Sequence, residues 1–552
     1  MRGMKHPIAI IAAMCVAWSV QAAQESLRIA YNYCTLSYTM AFWGKEEWRE
    51  EIERIHSRGF NAALVMAGVP KVWLETFKEA GYEEGEILEA IPDEAAQAWW
   101  NMGNLYGLGG PAAKDEIERN AELGRFIVDE MRKKGIAPIL QGYMGFLPPA
   151  RNAIAANAIR GKWCGLERPP WIDPAKEPYA KIAEAWYRNL AKVYGIEPKF
   201  LAGDLFHEGE IPVGTDATEA VKSVQAAQQK AFPGVTWLVQ GWQENPRREV
   251  LAGLDAAHTT IEFLDKDMTR NTRMPDYGEI PFVWCEVLNF GGNHGLYGGI
   301  YKLLAMKDVR NEKMRGWGML SEGLGTNPVF YDLFCDIANG REVEWPQWLD
   351  EWVAKRYGCE CELLREAWRT LAKEGGVYDC PHVQEGAVEN VMCARPARKV
   401  ASVSAWGPRK GIWYDLHDVE RAEALFAKAL EEHPELAERD EFMFDYTDIA
   451  RQRIANDARV ALQEGREEDF LALFDEMEKT LARHRAFRLD EQERGRNKAA
   501  FRRMITTWVD GGAPHVLNDY AHRDYAGLFA EYYKPRLERF FGKKAKGAGA
   551  GK

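Results

Sequence analysis

The sequence predicts a (β/α)8 TIM-like barrel followed by an all-α C-terminal domain. Eight short apolar segments occur between residues 28 and 323. Charged segments with helical spacing separate most of them, and this alternation is typical of a parallel sheet covered by helices. Beyond about residue 345 the strand patterns fade, and long helices with one apolar face follow.

The eight apolar segments are the candidate barrel strands. In chain order they are "RIAYNYCT", "FNAALVMAG", "APILQGYMG", "KFLAGDLF", "TWLVQGW", "TIEFLDK", "PFVWCEVLNF" and "RGWGMLSEG". Eight parallel strands close a TIM-like barrel. A doubly wound open sheet is the alternative, and the lack of a Gly-rich nucleotide fingerprint after the first strand disfavours it.

The amphipathic segments predict the helices. "KEEWREEIERIHSRG" and "AKDEIERNAELGRFIVDEMRKKG" lie between candidate strands, whereas "VERAEALFAKALEEH", "YTDIARQRIANDARVALQEG" and "REEDFLALFDEMEKTLARHRAF" belong to the C-terminal part. The predicted organisation is a signal peptide (1–22), the barrel domain (23–344), the all-α domain (345–540) and a disordered low-complexity tail (541–552).

The N-terminus has the pattern of a secretory signal peptide. Arg2 and Lys5 precede an apolar run from Ile8 to Val20, and "VQA" offers a cleavage site after Ala22. We therefore expect a mature chain exported to the periplasm or the extracellular space; an uncleaved anchor is the alternative. No later stretch approaches 18 uninterrupted apolar residues, so no membrane insertion is expected.

Composition narrows the function classes. Of the 552 residues, 46% are hydrophobic, which is enough for a large core, and the formal net charge is −12, which disfavours nucleic acid as a partner. The 20 tryptophans indicate either large cores or a sugar-binding cleft, because an indole face packs against the C–H face of a sugar. Oligomeric state cannot be predicted from these numbers.

The cysteines and histidines do not predict a metal site. The nine cysteines lack zinc-ribbon spacing, and there is no HxH or HExxH motif. Cys380 and Cys393 bracket a loop-like segment in which export permits a disulfide. The G-x-S-x-G elbow of a serine hydrolase is also missing. No cofactor is expected.

Two glutamates lie just past the ends of candidate strands. Glu208 comes after "KFLAGDLF" and Glu322 after "RGWGML", and the active site of a parallel barrel lies at these strand ends. Glycoside hydrolysis uses such a carboxyl pair. Each glutamate is alternatively a rim residue or an ion-pair partner, Glu210 and Glu286 are competitors, and sequence spacing does not choose among them.

A Gly-rich segment, "NFGGNHGLYGG" at residues 289–299, follows another candidate strand. Glycines allow a positive φ or a close backbone approach to a ligand, which favours a loop at the barrel mouth. A phosphate-binding loop is the alternative, but no lysine follows at the P-loop spacing. His294 either touches substrate or stabilises the turn.

The chain resembles the α-N-acetylglucosaminidases of glycoside hydrolase family 89 from about residue 28 to residue 536. The motifs that carry the resemblance are "YNYCTLSYT", "AWWNMGNLYGLGGP", "GDLFHEGE", "WLVQGW", "FVWCEVLNFGGNHGLYG", "SEGLGTNPVFYDL", "WYDLHDV" and "VLNDYAHRDYAGL". The resemblance implies a barrel whose pocket is completed by a helical domain. It also implies exo-acting release of terminal α-linked N-acetylglucosamine (GlcNAc) from a glycan, with retention and without a metal.

The resemblance also implies roles for individual residues. Glu208 would be the general acid/base and Glu322 the nucleophile, with carboxyls about 5–5.5 Å apart as retention requires. We expect Glu322 to be ionised. The implied substrate-binding residues are Asn32, Cys34, Trp99, His207, Trp242, Trp284, Asn293, His294, Trp508 and Tyr520.

Two departures and two open questions accompany the resemblance. His207 stands where the lysosomal members have asparagine, and the small N-terminal domain common in the family is expected to be missing. A non-catalytic glycan-binding protein on the same scaffold is the alternative function, which the presence of both Glu208 and Glu322 disfavours. Heparan-type and mucin-type glycans both remain open as substrates.

Overall fold

The computed structural model describes residues 26–150, 152–264, 276–307, 311–380, 390–400, 411–506 and 520–542. The predicted signal peptide (1–22), Trp508 and residues 543–552 of the predicted tail lie outside the described residues. Domain assignments below therefore concern the described ranges.

The described residues form a closed barrel of eight parallel strands, in the order β1-β10-β9-β8-β7-β6-β3-β2. Each of the eight predicted segments supplies one strand, which confirms the fold class. The open-sheet alternative is wrong, because β1 pairs with both β2 and β10. The barrel strands are β1 (Leu27–Ala30), β2 (Ala62–Leu64), β3 (Ala137–Gln141), β6 (Phe200–Ala202), β7 (Thr236–Gly241), β8 (Thr259–Leu264), β9 (Phe282–Glu286) and β10 (Met314–Met319).

A small antiparallel hairpin is inserted between β3 and β6. It consists of β4 (Lys162–Trp163) and β5 (Leu166–Glu167). The two-residue turn between them has positive φ at both Cys164 (48°) and Gly165 (84°), as the favoured two-residue hairpin turns require. We call β4, β5 and Arg168 the Trp163 hairpin.

Helices surround the barrel. They are α1 (Tyr33–Tyr38), α2 (Lys45–Ser57), α3 (Val69–Glu79), α4 (Glu84–Ala90), α5 (Gln97–Asn101), α6 (Lys114–Lys133), α7 (Ala153–Ala156), α8 (Glu177–Tyr194), α9 (Ala217–Ala231), α10 (Arg248–Leu251), α11 (Ile300–Met306) and α12 (Pro328–Ala338). The two predicted barrel helices correspond to α2 and α6, whose apolar faces are buried.

The C-terminal part is helical where it is described. Its helices are α13 (Gln347–Tyr357), α14 (Glu362–Leu371), α15 (Leu416–Glu432), α16 (Asp440–Gln463), α17 (Glu467–Leu481), α18 (Leu489–Gln492), α19 (Lys498–Thr506) and α20 (Lys534–Phe540). The three predicted helices correspond to α15, α16 and α17. None of the helices in the described ranges has the length and apolar character needed to cross a membrane.

Residues 520–526, which we call the Tyr520 strap, fix the helical domain to the barrel mouth. Arg523 is buried and donates to Tyr38 O (2.8 Å) and Gly291 O (2.5 Å) in the barrel. Asp524 accepts from Arg451 Nη1 of α16 at 3.0 Å. Because a buried charge is costly unless it is paired, these contacts hold the strap between the two domains.

The disulfide between Cys380 and Cys393 that export would permit is not formed. The Cys393 thiol instead donates to Asp524 Oδ1 at 3.2 Å. The described cysteines form no disulfide bridge. Cys393 therefore contributes to the contacts that hold the Tyr520 strap.

Candidate active site

A cavity of about 230 Å³ lies at the C-terminal ends of the barrel strands. This is smaller than the roughly 300–1,000 Å³ of sites for drug-sized ligands, so the cavity fits a small ligand such as one sugar ring. Eight of the predicted site residues line it: Asn32, Cys34, Trp99, His207, Glu208, Trp242, Glu322 and Tyr520.

Glu208 follows β6 and accepts hydrogen bonds on both carboxyl oxygens. Trp242 Nε1 (3.0 Å) and Gln243 Nε2 (3.1 Å) donate to Oε1. Trp163 Nε1 (2.8 Å) and Asn104 Nδ2 (3.2 Å) donate to Oε2. The four donors come from three separate segments, namely the loop after α5, the Trp163 hairpin and the loop after β7, and they fix the position of the carboxylate.

Glu322 follows β10 and is 6% exposed. Its Oε2 accepts from the Gly291 backbone N–H at 2.5 Å and from the Tyr520 hydroxyl at 3.2 Å. Burial raises the pKa of Glu322 to about 7, and the nearby charge of Glu208 acts in the same direction. The expected ionised Glu322 therefore prevails only above about pH 7, because burial penalises the charged form.

Helix α1 places two predicted residues at the cavity. Asn32 caps the helix, since its Oδ1 accepts from Thr35 N at 2.9 Å. The Thr35 hydroxyl in turn donates to Ser321 O, next to Glu322. Cys34 in the first turn lies against Glu322, and burial raises the pKa of its thiol well above the usual value. Cys34 is thus a neutral donor to Glu322, not a thiolate nucleophile.

Aromatic side chains form one wall of the cavity. The Trp99 ring meets the edge of Trp163 at 4.2 Å and of Tyr520 at 5.7 Å between ring centroids. On another side, Trp242 packs against Phe290 at 5.9 Å. Such rings supply apolar faces for the C–H groups of a sugar.

His207 lines the cavity beside Glu208 as a neutral ring. Burial lowers the pKa of His207. Its Nδ1 lies 3.9 Å from Asp204 Oδ2. Asp204 is itself buried, its Oδ1 accepts from Gln240 N at 2.7 Å, and burial raises its pKa to about 7. His207 is therefore a polar, uncharged wall of the cavity near neutral pH.

Trp284 does not line the cavity, although it was predicted to bind substrate. Side chains alternate along a strand, and Trp284 shares its face of β9 with Glu286. Both contact Lys302 of α11: the ammonium lies 5.6 Å from the Trp284 ring centroid and 2.7 Å from Glu286 Oε1. That face packs against helices, so Trp284 belongs to the core and Glu286 is excluded as a catalytic competitor.

The other competitor, Glu210, points to solvent. Its side chain is 89% exposed and pairs with Arg247 Nη1 at 2.8 Å. Only one residue separates it from Glu208, but the chain turns sharply there, with positive φ at Glu208 (45°). Between the two, Glu208 alone lines the cavity.

Asn293 and His294 lie behind the cavity and not on its lining. Asn293 Nδ2 donates to Tyr520 O at 3.3 Å, so it holds the Tyr520 strap. His294 packs against Phe487 and Tyr525 of the helical domain at 5.6 and 5.3 Å. Burial lowers the pKa of His294 to about 3, which keeps it neutral. Trp508 lies outside the described residues.

The Gly-rich loop packs closely against the Tyr520 strap of the protein itself. Gly291 has a φ of 62°, and a Cβ at this position would lie 2.1 Å from Tyr520 O. Its N–H is the donor to Glu322. Glycine is therefore required here both for the left-handed backbone and for the contact between the loop and the Tyr520 strap.

Sequence reasoning missed several residues of the site. These are Asn104, Trp163, Gln243 and Phe290, which line the cavity, and Arg168, which contacts Glu208 from outside it. For Trp163 a signal exists, because "KWCGL" places a Cys-Gly pair where a two-residue hairpin turn needs two positive φ angles. Asn104 and Gln243 carry no comparable pattern.

The described residues contain no cluster of three histidine, cysteine, aspartate or glutamate side chains arranged to hold a metal ion. The side chains that converge on the cavity are two carboxyls, N–H and O–H donors, and aromatic rings. This set can transfer a proton, supply a nucleophile and bind an uncharged polar ligand.

A pair of Trp→Phe variants tests the different placement of two tryptophans. Trp284→Phe is expected to lower the free energy of unfolding by roughly 1–3 kcal/mol, because it leaves a void in a packed core, with little change in KM. Trp242→Phe removes an N–H donor to Glu208 and is expected to impair catalysis with little loss of stability. Urea unfolding and steady-state kinetics measure both; a raised KM in Trp284→Phe alone would contradict the placement.

Comparisons with known proteins match both domains. Residues 28–340 match the model of the alpha-N-acetylglucosaminidase (NAGLU) TIM-barrel domain, and residues 348–552 match the model of the NAGLU C-terminal domain. Among curated proteins, the chain is similar to the α-N-acetylglucosaminidase of Homo sapiens. The two are 27% identical over 573 aligned positions, which cover 94% of this chain and 75% of the human protein.

Solved structures give a similar result. A family 89 glycoside hydrolase from Clostridium perfringens, in complex with 2-acetamido-1,2-dideoxynojirmycin, is 29% identical, with a TM-score of 0.85 over 94% of this chain and 63% of that chain. A variant from the same organism, with two glutamates replaced by glutamine, was solved with its substrate GlcNAc-α-1,4-galactose. It has a TM-score of 0.84 and 29% identity, covering 94% of this chain and 62% of that one. This chain thus spans slightly less than two thirds of the Clostridium chains.

Proposed function

Because the chain belongs to the α-N-acetylglucosaminidase (NAGLU) family, we propose that it is an exo-acting retaining glycosidase that releases terminal α-linked GlcNAc from glycans. The observation that carries this proposal is the pair of carboxyls, Glu208 and Glu322, which follow different barrel strands and line one small cavity. The Clostridium substrate complex, obtained with two glutamates replaced, supports a two-glutamate mechanism.

In the proposed reaction, Glu322 attacks the anomeric carbon while Glu208 protonates the leaving oxygen. Glu208 then takes a proton from water, which hydrolyses the glycosyl-enzyme with net retention. Retention requires the carboxyls to lie about 5–5.5 Å apart. The Gly291 N–H and the Tyr520 hydroxyl both donate to Glu322 Oε2 and so fix the orientation of the carboxyl that would attack.

Glu208 can carry the proton only after one hydrogen bond gives way. A carboxylate has about four acceptor sites, and four N–H donors occupy them. Gln243 is exposed, whereas Trp163 and Asn104 are buried. Gln243 is therefore the donor that a leaving-group oxygen displaces from Oε1 as substrate enters.

The test of the function is hydrolysis of a chromogenic α-GlcNAc glycoside and of GlcNAc-α-1,4-galactose, with the anomer of the released sugar followed by NMR. Release of the α-anomer first is expected. Initial release of the β-anomer would show inversion and contradict the two-step mechanism. Binding without release would instead favour the alternative, a non-catalytic glycan-binding protein.

The pH dependence of kcat/KM should follow the ionisation of Glu322. This parameter reports groups of the free enzyme, and the nucleophile must be ionised, so kcat/KM should fall as pH drops below about 7, the raised pKa of Glu322. Tyr520→Phe removes a hydrogen bond that lowers this pKa and should move the acid limb to higher pH. An acid limb only below about pH 5 would contradict this assignment.

Neutral glycans suit this cavity better than sulfated ones. Among the described lining residues there are two carboxyls and no lysine or arginine. No cationic side chain there compensates the negative charge of a sulfate or of a uronic acid carboxylate. We expect faster hydrolysis of α-GlcNAc linked to galactose than of α-GlcNAc linked to glucuronic acid in heparan-type fragments. The reverse order of kcat/KM for the two substrates would contradict this preference.

The mature chain is proposed to act outside the cytoplasm after cleavage following Ala22. The support is the pattern of basic residues, apolar run and "VQA" at the N-terminus. Mass spectrometry of protein recovered from periplasm or medium should show a chain that begins at Ala23. A chain that keeps Met1 would contradict the cleavage.

A further inference from the structure

The loop that carries Glu208 has an unfavourable backbone. Phe206 (φ 62°) and Glu208 (φ 45°) are both left-handed, and neither is glycine. Such conformations persist only where surrounding contacts enforce them, and they concentrate at functional sites. The side chains that hold this loop are therefore candidates for positioning the catalytic carboxyl.

Three side chains from other loops bind carbonyl oxygens of this segment. Asn245 Nδ2 donates to Phe206 O at 3.1 Å, Arg168 Nη2 to Glu208 O at 2.7 Å, and Arg247 Nη2 to Gly209 O at 3.1 Å. Arg168 makes the shortest of these bonds, and it binds the backbone of the catalytic residue itself.

Arg168 also reaches the carboxylate of Glu208 through Asn104. Its Nη1 donates to Asn104 Oδ1 at 3.3 Å, and Asn104 Nδ2 donates to Glu208 Oε2 at 3.2 Å. A guanidinium has donors only, so it turns the amide oxygen toward itself and the amide N–H₂ toward Glu208. The opposite amide orientation would place an oxygen against the carboxylate.

We propose that Arg168 is a positioning residue for the acid/base step: it holds the backbone of Glu208 with one nitrogen and orients the amide that binds its carboxylate with the other. The same hairpin carries Trp163, which donates to Glu208 Oε2. The Trp163 hairpin thus acts on Glu208 through both residues. This role rests on the proposed function, in which Glu208 protonates the leaving group.

Arg247 provides a matched control. It is also an arginine bonded to a carbonyl of the loop, that of Gly209, but its other bond goes to the exposed carboxylate of Glu210. Within the described part of the chain, the side chain of Arg247 contacts Glu210, Glu244 and the Gly209 carbonyl and makes no hydrogen bond to the Glu208 carboxylate. A general loosening of the loop should therefore affect Arg168 and Arg247 variants alike, whereas loss of acid positioning should affect Arg168 variants alone.

The experiment compares two substrates of different dependence on acid catalysis. GlcNAc-α-1,4-galactose needs a proton on its leaving oxygen, whereas 2,4-dinitrophenyl α-GlcNAc has a leaving group that departs without one. General acid catalysis contributes about 10²–10⁴-fold, and misplacement by about 1 Å costs about 10²-fold. Arg168→Met should lower kcat/KM by about 30–100-fold on the disaccharide and by less than about fivefold on the aryl glycoside.

Further variants separate this role from a structural one. Arg247→Met should change kcat/KM on both substrates equally and by less than about threefold. Arg168→Lys, which keeps the charge but not the two-pronged geometry, should fall between wild type and Arg168→Met. Arg168→Met combined with Asn104→Leu should lose no more than the larger single variant, because the two residues act in one chain of bonds.

Three kinds of result would overturn the positioning role of Arg168 or the proposed function. Equal losses on the two substrates for Arg168→Met, or additive losses in the double variant, would overturn the positioning role. If Arg168→Met does not fold by circular dichroism, the substrate ratio of Arg168→Lys carries the test, and a ratio equal to that of wild type overturns the role. A wild-type enzyme that hydrolyses neither substrate would overturn the proposed function itself.

Discussion

Replacing Glu322 by glutamine is expected to lower turnover of α-GlcNAc substrates by at least about 10³-fold while substrate still binds. The amide keeps the shape of the side chain and accepts from the Gly291 N–H and the Tyr520 hydroxyl on its remaining carbonyl oxygen. It cannot form the glycosyl-enzyme, because an amide is a poor nucleophile. Steady-state kinetics and calorimetric titration with GlcNAc-α-1,4-galactose measure the two effects.

The same substitution should stabilise the protein at neutral pH. The pKa of Glu322 is about 7 in the folded chain, against about 4.3 in an unfolded chain. Between these values the unfolded chain releases a proton that the folded chain keeps, so the free energy of unfolding falls as pH rises. Glu322→Gln removes this penalty, on the order of 3 kcal/mol at pH 8 and about 0.5 kcal/mol at pH 4.5.

Glu210→Gln is the matched control for the Glu322 variant. Glu210 is exposed and paired with Arg247 outside the cavity, so its amide variant should keep activity and stability close to wild type. Near-normal turnover in Glu322→Gln would remove Glu322 from the mechanism. A stability gain that does not depend on pH would contradict the raised pKa.

Replacing Glu208 by glutamine should give a loss that depends on the leaving group. On GlcNAc-α-1,4-galactose the expected fall in kcat/KM is about 10²–10⁴-fold, the usual contribution of a general acid. On 2,4-dinitrophenyl α-GlcNAc the first step needs no proton, so the glycosyl-enzyme should form and then accumulate, because no general base activates water. A pre-steady-state burst of dinitrophenol measures this accumulation.

Rescue by an external nucleophile distinguishes loss of the acid/base role of Glu208 from general damage to the site. Azide needs no general base, so it should accelerate turnover of Glu208→Gln on the aryl glycoside and yield an α-glycosyl azide. Glu322→Gln should not respond, since it forms no intermediate. Equal responses of the two variants to azide would contradict the assignment of their roles.

Strand positions and strand-end residues could be predicted because they depend on local patterns. Each short apolar segment between amphipathic helices became a barrel strand, and the carboxyls that follow two of them line the cavity. In a parallel barrel all strand C-termini meet at one mouth. Topology therefore predicts that strand-end carboxyls such as Glu208 and Glu322 meet at one mouth, although more than one hundred residues separate them. The choice of these two over Glu210 and Glu286 comes from the family resemblance.

The face that a strand residue presents could not be predicted in the same way. "FVWC" carries apolar side chains on both faces of the strand, since one faces the barrel interior and the other faces helices, so its pattern does not say which face Trp284 occupies. Similarly, Asn293 and His294 lie in a glycine-rich loop without periodicity. Their positions behind the cavity follow from contacts with the Tyr520 strap, which is distant in sequence.

The donors to Glu208 depend on inserted segments that carry little pattern. Trp163 and Arg168 belong to a hairpin placed between a strand and its helix, and Asn104 lies in the loop after α5. No periodicity marks these segments, because they bury no continuous face. Their role becomes visible only when the hydrogen bonds of the carboxylate are traced.

The Tyr520 strap has a consequence for the timing of synthesis. A ribosome completes all eight barrel strands by Met319, yet the hydroxyl bonded to Glu322 belongs to Tyr520. A nascent chain that ends anywhere from residue 322 to residue 519, or a product of premature termination in that range, therefore has both glutamates without the group that orients one of them. The chain acquires its complete set of contacts to Glu322 only after residue 520 has been translated.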